Sequence, residues 1–173
     1  MAKLDIQKKI FTKLKLSYEN GLNLFDKIYS EQLIKTGKPS SQHQVLFSSI
    51  SLNKKIKTIL EIGTFDGNNI KFLSTLFPKA SIVSVDLEDD NKLFTKSYGR
   101  DDQRKRASFI EYRNTILSTC ENVEFIKKNS IKYLFDNKKN FDLIWIDGAH
   151  GYPFVTIDIT NCLKVLSSDG FLI

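Results

Sequence analysis

Two short apolar runs, each carrying an acidic residue at or near its carboxyl end, constrain this chain more than any other feature. Thr58-Ile59-Leu60-Glu61-Ile62 leads into Gly63-Thr64-Phe65-Asp66-Gly67, and Ile82-Val83-Ser84-Val85 ends in Asp86. Each run reads as a buried strand, and the glycine turn after the first opens a helix. In a doubly wound sheet the carboxyl ends of adjacent strands face one crevice, where ligands bind. Glycines let backbone approach a ligand closely, and a carboxylate accepts hydrogen bonds from two hydroxyls. The pair suits a ligand with a ribose. A dinucleotide loop needs G-x-G-x-x-G. Here Phe65 and Asp66 separate the two glycines, and Asp66 would repel a pyrophosphate. The turn therefore suits a nucleoside without phosphates.

The rest of the chain fits an alternating α/β protein. Its 173 residues suffice for one domain with a core. No run approaches the roughly 20 apolar residues of a membrane span. The N-terminus, MAKLDIQKKIF, lacks the apolar centre of a signal peptide. Cys120 and Cys162 match no metal or redox spacing, which implies two reduced core thiols and a cytoplasmic protein. Residues 1–57 hold eleven lysines against four acidic residues, whereas the remainder is nearly neutral. Those lysines are scattered among leucines at helical spacing, so a solvated helix face is expected and nucleic acid is not.

Apolar spacing predicts helices over 4–16 and 22–34, with Gly21 separating or kinking them. The Thr36–Ser41 segment breaks the pattern, and a short helix follows to about Ile50. This N-terminal helical region, 1–56, precedes an α/β domain over 57–173. There the expected order is strand 58–62, helix 68–77, strand 81–86, a polar stretch 88–106, helix 107–119, strand 123–127, helix 130–136, strand 141–147 and helix 154–166. The turn Ser167-Ser168-Asp169-Gly170 should lead into a fifth strand at Phe171–Ile173. The 88–106 insertion, with Tyr98 and Arg100, is placed to cover an acceptor or to stay a plain loop.

The EIGTFDG loop resembles the cofactor loop of class I S-adenosylmethionine-dependent methyltransferases, in the form found among small-molecule O-methyltransferases. The resemblance covers about 57–173 and implies a Rossmann-like, mostly parallel sheet. It implies S-adenosylmethionine bound by Gly63, Gly67 and Asp86, with Glu61, Thr64, Phe65 and Asn69 lining its methionine half. That family often has Gly-Asp after the third strand, with the Asp taking the adenine amine. This chain has Lys128-Asn129 there, followed by Ser130; the Asn129 oxygen can still accept, or Asn129 or Ser130 can cap a helix.

Asp147-Gly148-Ala149-His150 leaves the fourth strand beside the first. The pattern is similar to that of magnesium-dependent O-methyltransferases acting on sugars and antibiotics. The likeness implies Asp147 as a metal ligand and His150 as general base. A hydroxyl attacks well only once its proton is removed, and His titrates near neutral pH. A hard cation would help orient the hydroxyl. Two further acidic ligands of that family would fall just after Ile173, and one carboxylate holds magnesium poorly. His43 is the other histidine, expected at a helix start or lining an acceptor pocket.

The expected activity is methyl transfer to a hydroxyl of a small molecule such as a sugar or secondary metabolite. Two alternatives stand beside it. One is a nucleoside-binding or assembly module without catalysis. The other is methylation of nucleic acid or protein, which an Asp-Gly-Ala-His turn does not favour, because amino-methylating enzymes of nucleic acid commonly carry Asn/Asp-Pro-Pro-aromatic there. The methyltransferase fold usually continues beyond a fifth strand. An end there is expected to mean either a truncated or fragmentary sheet or a homo-oligomer paired through that edge.

Overall fold

The computed structural model describes residues 2–32 and 42–173. The expected break at Thr36–Ser41 and the end of the 22–34 helix lie outside the described residues. The chain divides into two compact units, one up to Lys55 and one from Ile56.

The first unit holds α1 (Ala2–Lys13), α2 (Tyr18–Gln32) and α3 (His43–Asn53). The break between the first two helices falls at Lys15, not at Gly21. Lys15 adopts φ 56°. Its N–H reaches the Thr12 carbonyl at 3.0 Å, and the Leu16 N–H reaches the Phe11 carbonyl at 2.8 Å. These are the two bonds of a Schellman motif, with Leu16 buried as its apolar contact. Ser17 then starts α2, its hydroxyl accepting from the Asn20 N–H at 3.2 Å. Gly21 lies inside α2 and serves packing instead of bending. A Cβ there would sit 2.6 Å from the Val45 carbonyl oxygen and 2.9 Å from Ser49 Cβ of α3.

The second unit is a five-stranded parallel sheet, ordered β3-β2-β1-β4-β5. Its strands are β1 (Thr58–Ile62), β2 (Ser81–Asp86), β3 (Val123–Lys127), β4 (Phe141–Ile146) and β5 (Leu166–Leu172). The helices are α4 (Asn68–Leu76), α5 (Lys92–Lys96), α6 (Gln103–Leu117), α7 (Ser130–Asp136) and α8 (Phe154–Lys164). This is the Rossmann-like arrangement, and the strand order reverses between β1 and β4. Period-2 alternation divides the core. Leu60, Ile62, Val83, Val85 and Ile144 pack with Leu134 of α7 and Cys162 of α8. The other set of alternate residues carries Ile59, Glu61, Ile82 and Ser84, and it pairs Glu61 with Ser84 across the strands.

Strand positions match the sequence pattern closely, and two stretches differ. The polar segment 88–106 contains α5, capped by Asn91, which accepts from the Leu93 N–H at 2.9 Å. It also contains the first turn of α6, capped by Asp102, which accepts from Arg104 and Lys105 at 2.8 and 3.0 Å. The caps, not apolar residues, start these helices. At the C-terminal side, β5 begins before the expected turn. Leu166 pairs with Phe141 and Phe171 with Leu143, so Ser167–Gly170 bulges out of one continuous strand. Asp142 holds that bulge. Its carboxylate accepts from Ser167 Oγ at 3.0 Å and from the Lys57 and Thr58 N–H groups at 2.8 and 3.2 Å. Burial alone would raise its pKa, but these bonds to the ionised form hold it below the usual value. Both cysteines are buried and free. Among the described residues no helix is long and apolar enough to cross a membrane.

Gly21→Ala tests the α2–α3 contact. Alanine is the better helix former by about 1 kcal/mol, yet the added methyl meets backbone. The expected result is a net loss of about 1–3 kcal/mol in urea unfolding followed by circular dichroism. A variant as stable as the parent would show that the helices can separate without cost.

Candidate functional site

The carboxyl ends of β2, β1 and β4 bring most of the expected residues to one edge of the sheet. Gly63 follows β1 at φ 96°, Phe65 stands at φ 49° and Gly67 at φ 83°. The alternation of left-handed residues folds the loop tightly over the strand end. Gly63 has a second reason to lack a side chain: a Cβ would lie 2.4 Å from the Asp147 carbonyl oxygen. Its N–H donates to the Val85 carbonyl at 2.8 Å, and the Asp147 N–H donates to the Ile62 carbonyl at 2.8 Å.

Asp86 closes this corner. Its Oδ2 accepts from the Phe65 N–H at 3.0 Å and its Oδ1 from the Leu87 N–H at 2.7 Å. Each oxygen keeps a further lone pair, so the half-buried carboxylate can still accept two hydroxyls. The Phe65 bond also holds a non-glycine residue in a sparsely populated conformation.

Beneath the loop lies a buried polar chain. Glu61 is 1% exposed. Its Oε2 accepts from Ser84 Oγ at 2.6 Å and its Oε1 from Asn69 Nδ2 at 2.9 Å. Ser84 Oγ is in turn 2.6 Å from Thr64 Oγ1. Burial pushes the Glu61 carboxyl up to about 7, against the two hydrogen bonds that lower it and with small additions from the charges of Asp147 and Asp86. Asn69 of the helix and Ser84 of β2 therefore meet on the Glu61 carboxyl, with Thr64 of the loop joined to it through Ser84, and burial leaves that carboxyl poised to ionise near neutral pH.

On the β4 side, His150 Nε2 is 3.5 Å from Asp147 Oδ1, and both side chains are largely exposed. That distance is an electrostatic contact and falls short of a full hydrogen bond.

A family profile described as a methyltransferase domain matches residues 60–173. The chain belongs to this family. A search of curated proteins finds no match. Among solved structures, the domain resembles a candidate caffeoyl-CoA O-methyltransferase from Staphylococcus aureus, with 18% identity, TM-score 0.56, and 95% of this chain aligned to 70% of that one. A candidate rRNA methylase from Clostridium thermocellum gives 13% identity and TM-score 0.54 over 77% of this chain and 67% of that one. The O-methyltransferase TomG from Streptomyces achromogenes, solved with SAM, aligns at 20% identity and TM-score 0.48. There the chain covers 92% of itself and 66% of TomG, so it spans a little under two thirds of that structure's length. At these identities the likeness concerns the fold.

Not every expected residue of the methyltransferase domain faces the crevice with a free group. Asn129 caps α7, its Oδ1 accepting from the Ile131 and Lys132 N–H groups at 3.1 and 3.4 Å. Ser130 Oγ donates to Asp158 Oδ1 at 2.7 Å. The capping alternative thus describes Asn129 in this structure. Cofactor and metal fare differently. The donor set at Asp86, with open loop backbone beside it, fits a ribose. A divalent cation does not fit the described residues, among which no three His, Cys, Asp or Glu side chains converge. Asp147 and His150 alone make no magnesium site.

Several site-shaping residues carry no motif. Ser84 is the polar interruption of an apolar strand, and its pairing with Glu61 depends on register. Asp158 is 3% exposed and interrupts the apolar face of α8. Burial raises its pKa, partly offset by the Ser130 hydroxyl. Arg113 is fully buried and pairs with Asp89 at 2.8 Å, and Asp89 also takes Lys127 at 2.6 Å.

Glu61 gives the site a pH signature. Its pKa is higher folded than unfolded, so the folded chain holds the extra proton between pH 4.5 and about 7. Its stabilisation is fully present below the lower value and is lost as pH rises through the upper one. In urea unfolding across that range, the wild type should lose about 3 kcal/mol relative to Glu61→Gln. Parallel pH profiles for the two proteins would contradict the buried, neutral carboxyl.

Proposed function

We propose that this chain transfers the methyl group of S-adenosylmethionine to a hydroxyl of a small molecule. The observation that carries the reading is the meeting of three strand ends: the Asp86 carboxylate, the Gly63–Gly67 loop and the Asp147–His150 turn. Membership of the methyltransferase domain family supports it. A sugar or secondary metabolite as acceptor is what the resemblance of the Asp147–His150 turn to O-methyltransferases acting on sugars and antibiotics implies.

The bound cofactor supplies an activated methyl on a sulfonium. Asp86 would hold the ribose hydroxyls with the lone pairs that Phe65 and Leu87 leave open. The Phe65 N–H bond keeps that carboxylate turned toward the loop before any ligand arrives. Glu61 sits below the loop and can answer a nearby positive charge by releasing its proton, because its pKa lies near neutrality. His150 would take the acceptor proton at Nδ1. Asp147, beside Nε2, would stabilise the imidazolium that results.

Asp86→Ala should weaken S-adenosylmethionine and S-adenosylhomocysteine binding by about 1.5–3 kcal/mol for each hydrogen bond lost to the charge. Calorimetry with unchanged affinity would remove Asp86 from the ribose. Tighter binding of NAD than of S-adenosylmethionine would overturn the whole reading.

His150→Ala should lower turnover by about 100- to 10,000-fold on any hydroxylated acceptor that the wild type methylates, with cofactor affinity nearly unchanged. A fully active variant would assign the proton to another group.

A further inference from the structure

Arg100 combines burial with unused hydrogen-bonding capacity. The residue is 6% exposed. Its guanidinium lies 3.9 Å from the ring centre of Phe94, 4.8 Å from Phe109 and 5.3 Å from Tyr98. Nε donates to the carbonyls of Phe94 and Ser97 at 2.9 and 3.1 Å. Among the described residues, Nη1 and Nη2 have no hydrogen-bond partner and no carboxylate within ion-pair distance. These terminal nitrogens are not sealed in. In that they differ from Arg113, whose Nε and Nη1 are both unpartnered and cut off from solvent.

The position is next to the crevice. Of the charged groups around Arg100, Asp86 acts on it most strongly. Phe65 of the glycine loop stacks on the same two rings, 5.2 Å from Tyr98 and 5.3 Å from Phe109. A continuous aromatic wall therefore runs from the loop to the guanidinium. Of the nearby acidic groups, Asp89 is held by Arg113 and Lys127, and Asp86 is turned to the Phe65 and Leu87 N–H groups with its remaining lone pairs assigned to the ribose. A planar, permanently charged group backed by rings, with two free NH₂ ends, matches an oxyanion bidentately.

We propose that Arg100 anchors a carboxylate or phosphate carried by the methyl acceptor. The acceptor class is then an anionic hydroxylated molecule, lying along the Phe65–Tyr98 wall. This rests on the methyltransferase reading, and the two are separable.

Calorimetry begins with S-adenosylhomocysteine on the wild type and on Arg100→Met, which keeps bulk on the rings without the charge. Binding within about twofold in both is expected; no binding to the wild type would overturn the methyltransferase reading and the acceptor with it. Protein saturated with S-adenosylhomocysteine is then titrated with 3,4-dihydroxybenzoate against catechol and with glucose 6-phosphate against glucose. In at least one pair the anionic member should bind the wild type at least about tenfold more tightly, about 1.4 kcal/mol. Arg100→Met should bring that pair within about twofold, and the responding pair identifies carboxylate or phosphate. Arg100→Lys should retain part of the preference. No preference in either pair, or one that survives in Arg100→Met, would overturn the proposal while leaving cofactor binding intact.

Discussion

The site depends on how closely β1 and β4 approach where they leave the sheet. Gly63 and the Asp147 backbone are so near that a single methyl would overlap the Asp147 carbonyl. That proximity lets Asp147 donate to Ile62 while Gly63 donates to Val85, so three strand ends are joined by backbone alone. The loop then has one way to continue, with Phe65 in a left-handed conformation and its N–H on Asp86. A larger residue at position 63 would separate the strands and dismantle both the loop and the carboxylate that it orients.

A polar chain under that loop sets a second constraint. Glu61 is carried into the core because the strand places it there, and burial of a charged carboxylate is costly. Ser84 and Asn69 offset part of that cost, and proton uptake offsets more, which is why its pKa lies near 7. Thr64, hydrogen-bonded to Ser84, links the chain to the ligand-facing loop. Loop conformation and the protonation of Glu61 are thereby parts of one hydrogen-bonded unit.

The segment between β2 and α6 is held differently, by cations on aromatic rings. Arg113 lies 4.8 Å from the Phe125 ring centre and ties Asp89 to the sheet. Arg100 stacks on Phe94 and Phe109, so α5 and α6 are clasped around its guanidinium. Two buried arginines thus position a stretch whose composition reads as a solvated loop. Cation–π contact lets a charged residue serve as core.

The sequence by itself determined four strands and the end of the fifth, the glycine loop and the carboxylates at the strand ends. Their signals are local: apolar runs of five or six residues, glycines at turns and acids just past them. Other features were decided only by tertiary structure. Gly21 reads as a helix breaker until α3 is packed against it, whereas Lys15 ends α1 through backbone hydrogen bonds that no composition rule marks. The bulge in β5 needs Asp142, some 25 residues away, to hold Ser167. Asn129 reads equally well as a ligand acceptor or a cap, and the geometry of α7 spends it on the cap. Ser84 becomes a partner of Glu61 only through register, and Arg100 becomes a buried cation only once three rings converge on it. Strands and turns are set by neighbours along the chain, but the protonation, burial and free valences of a site depend on residues that meet across it.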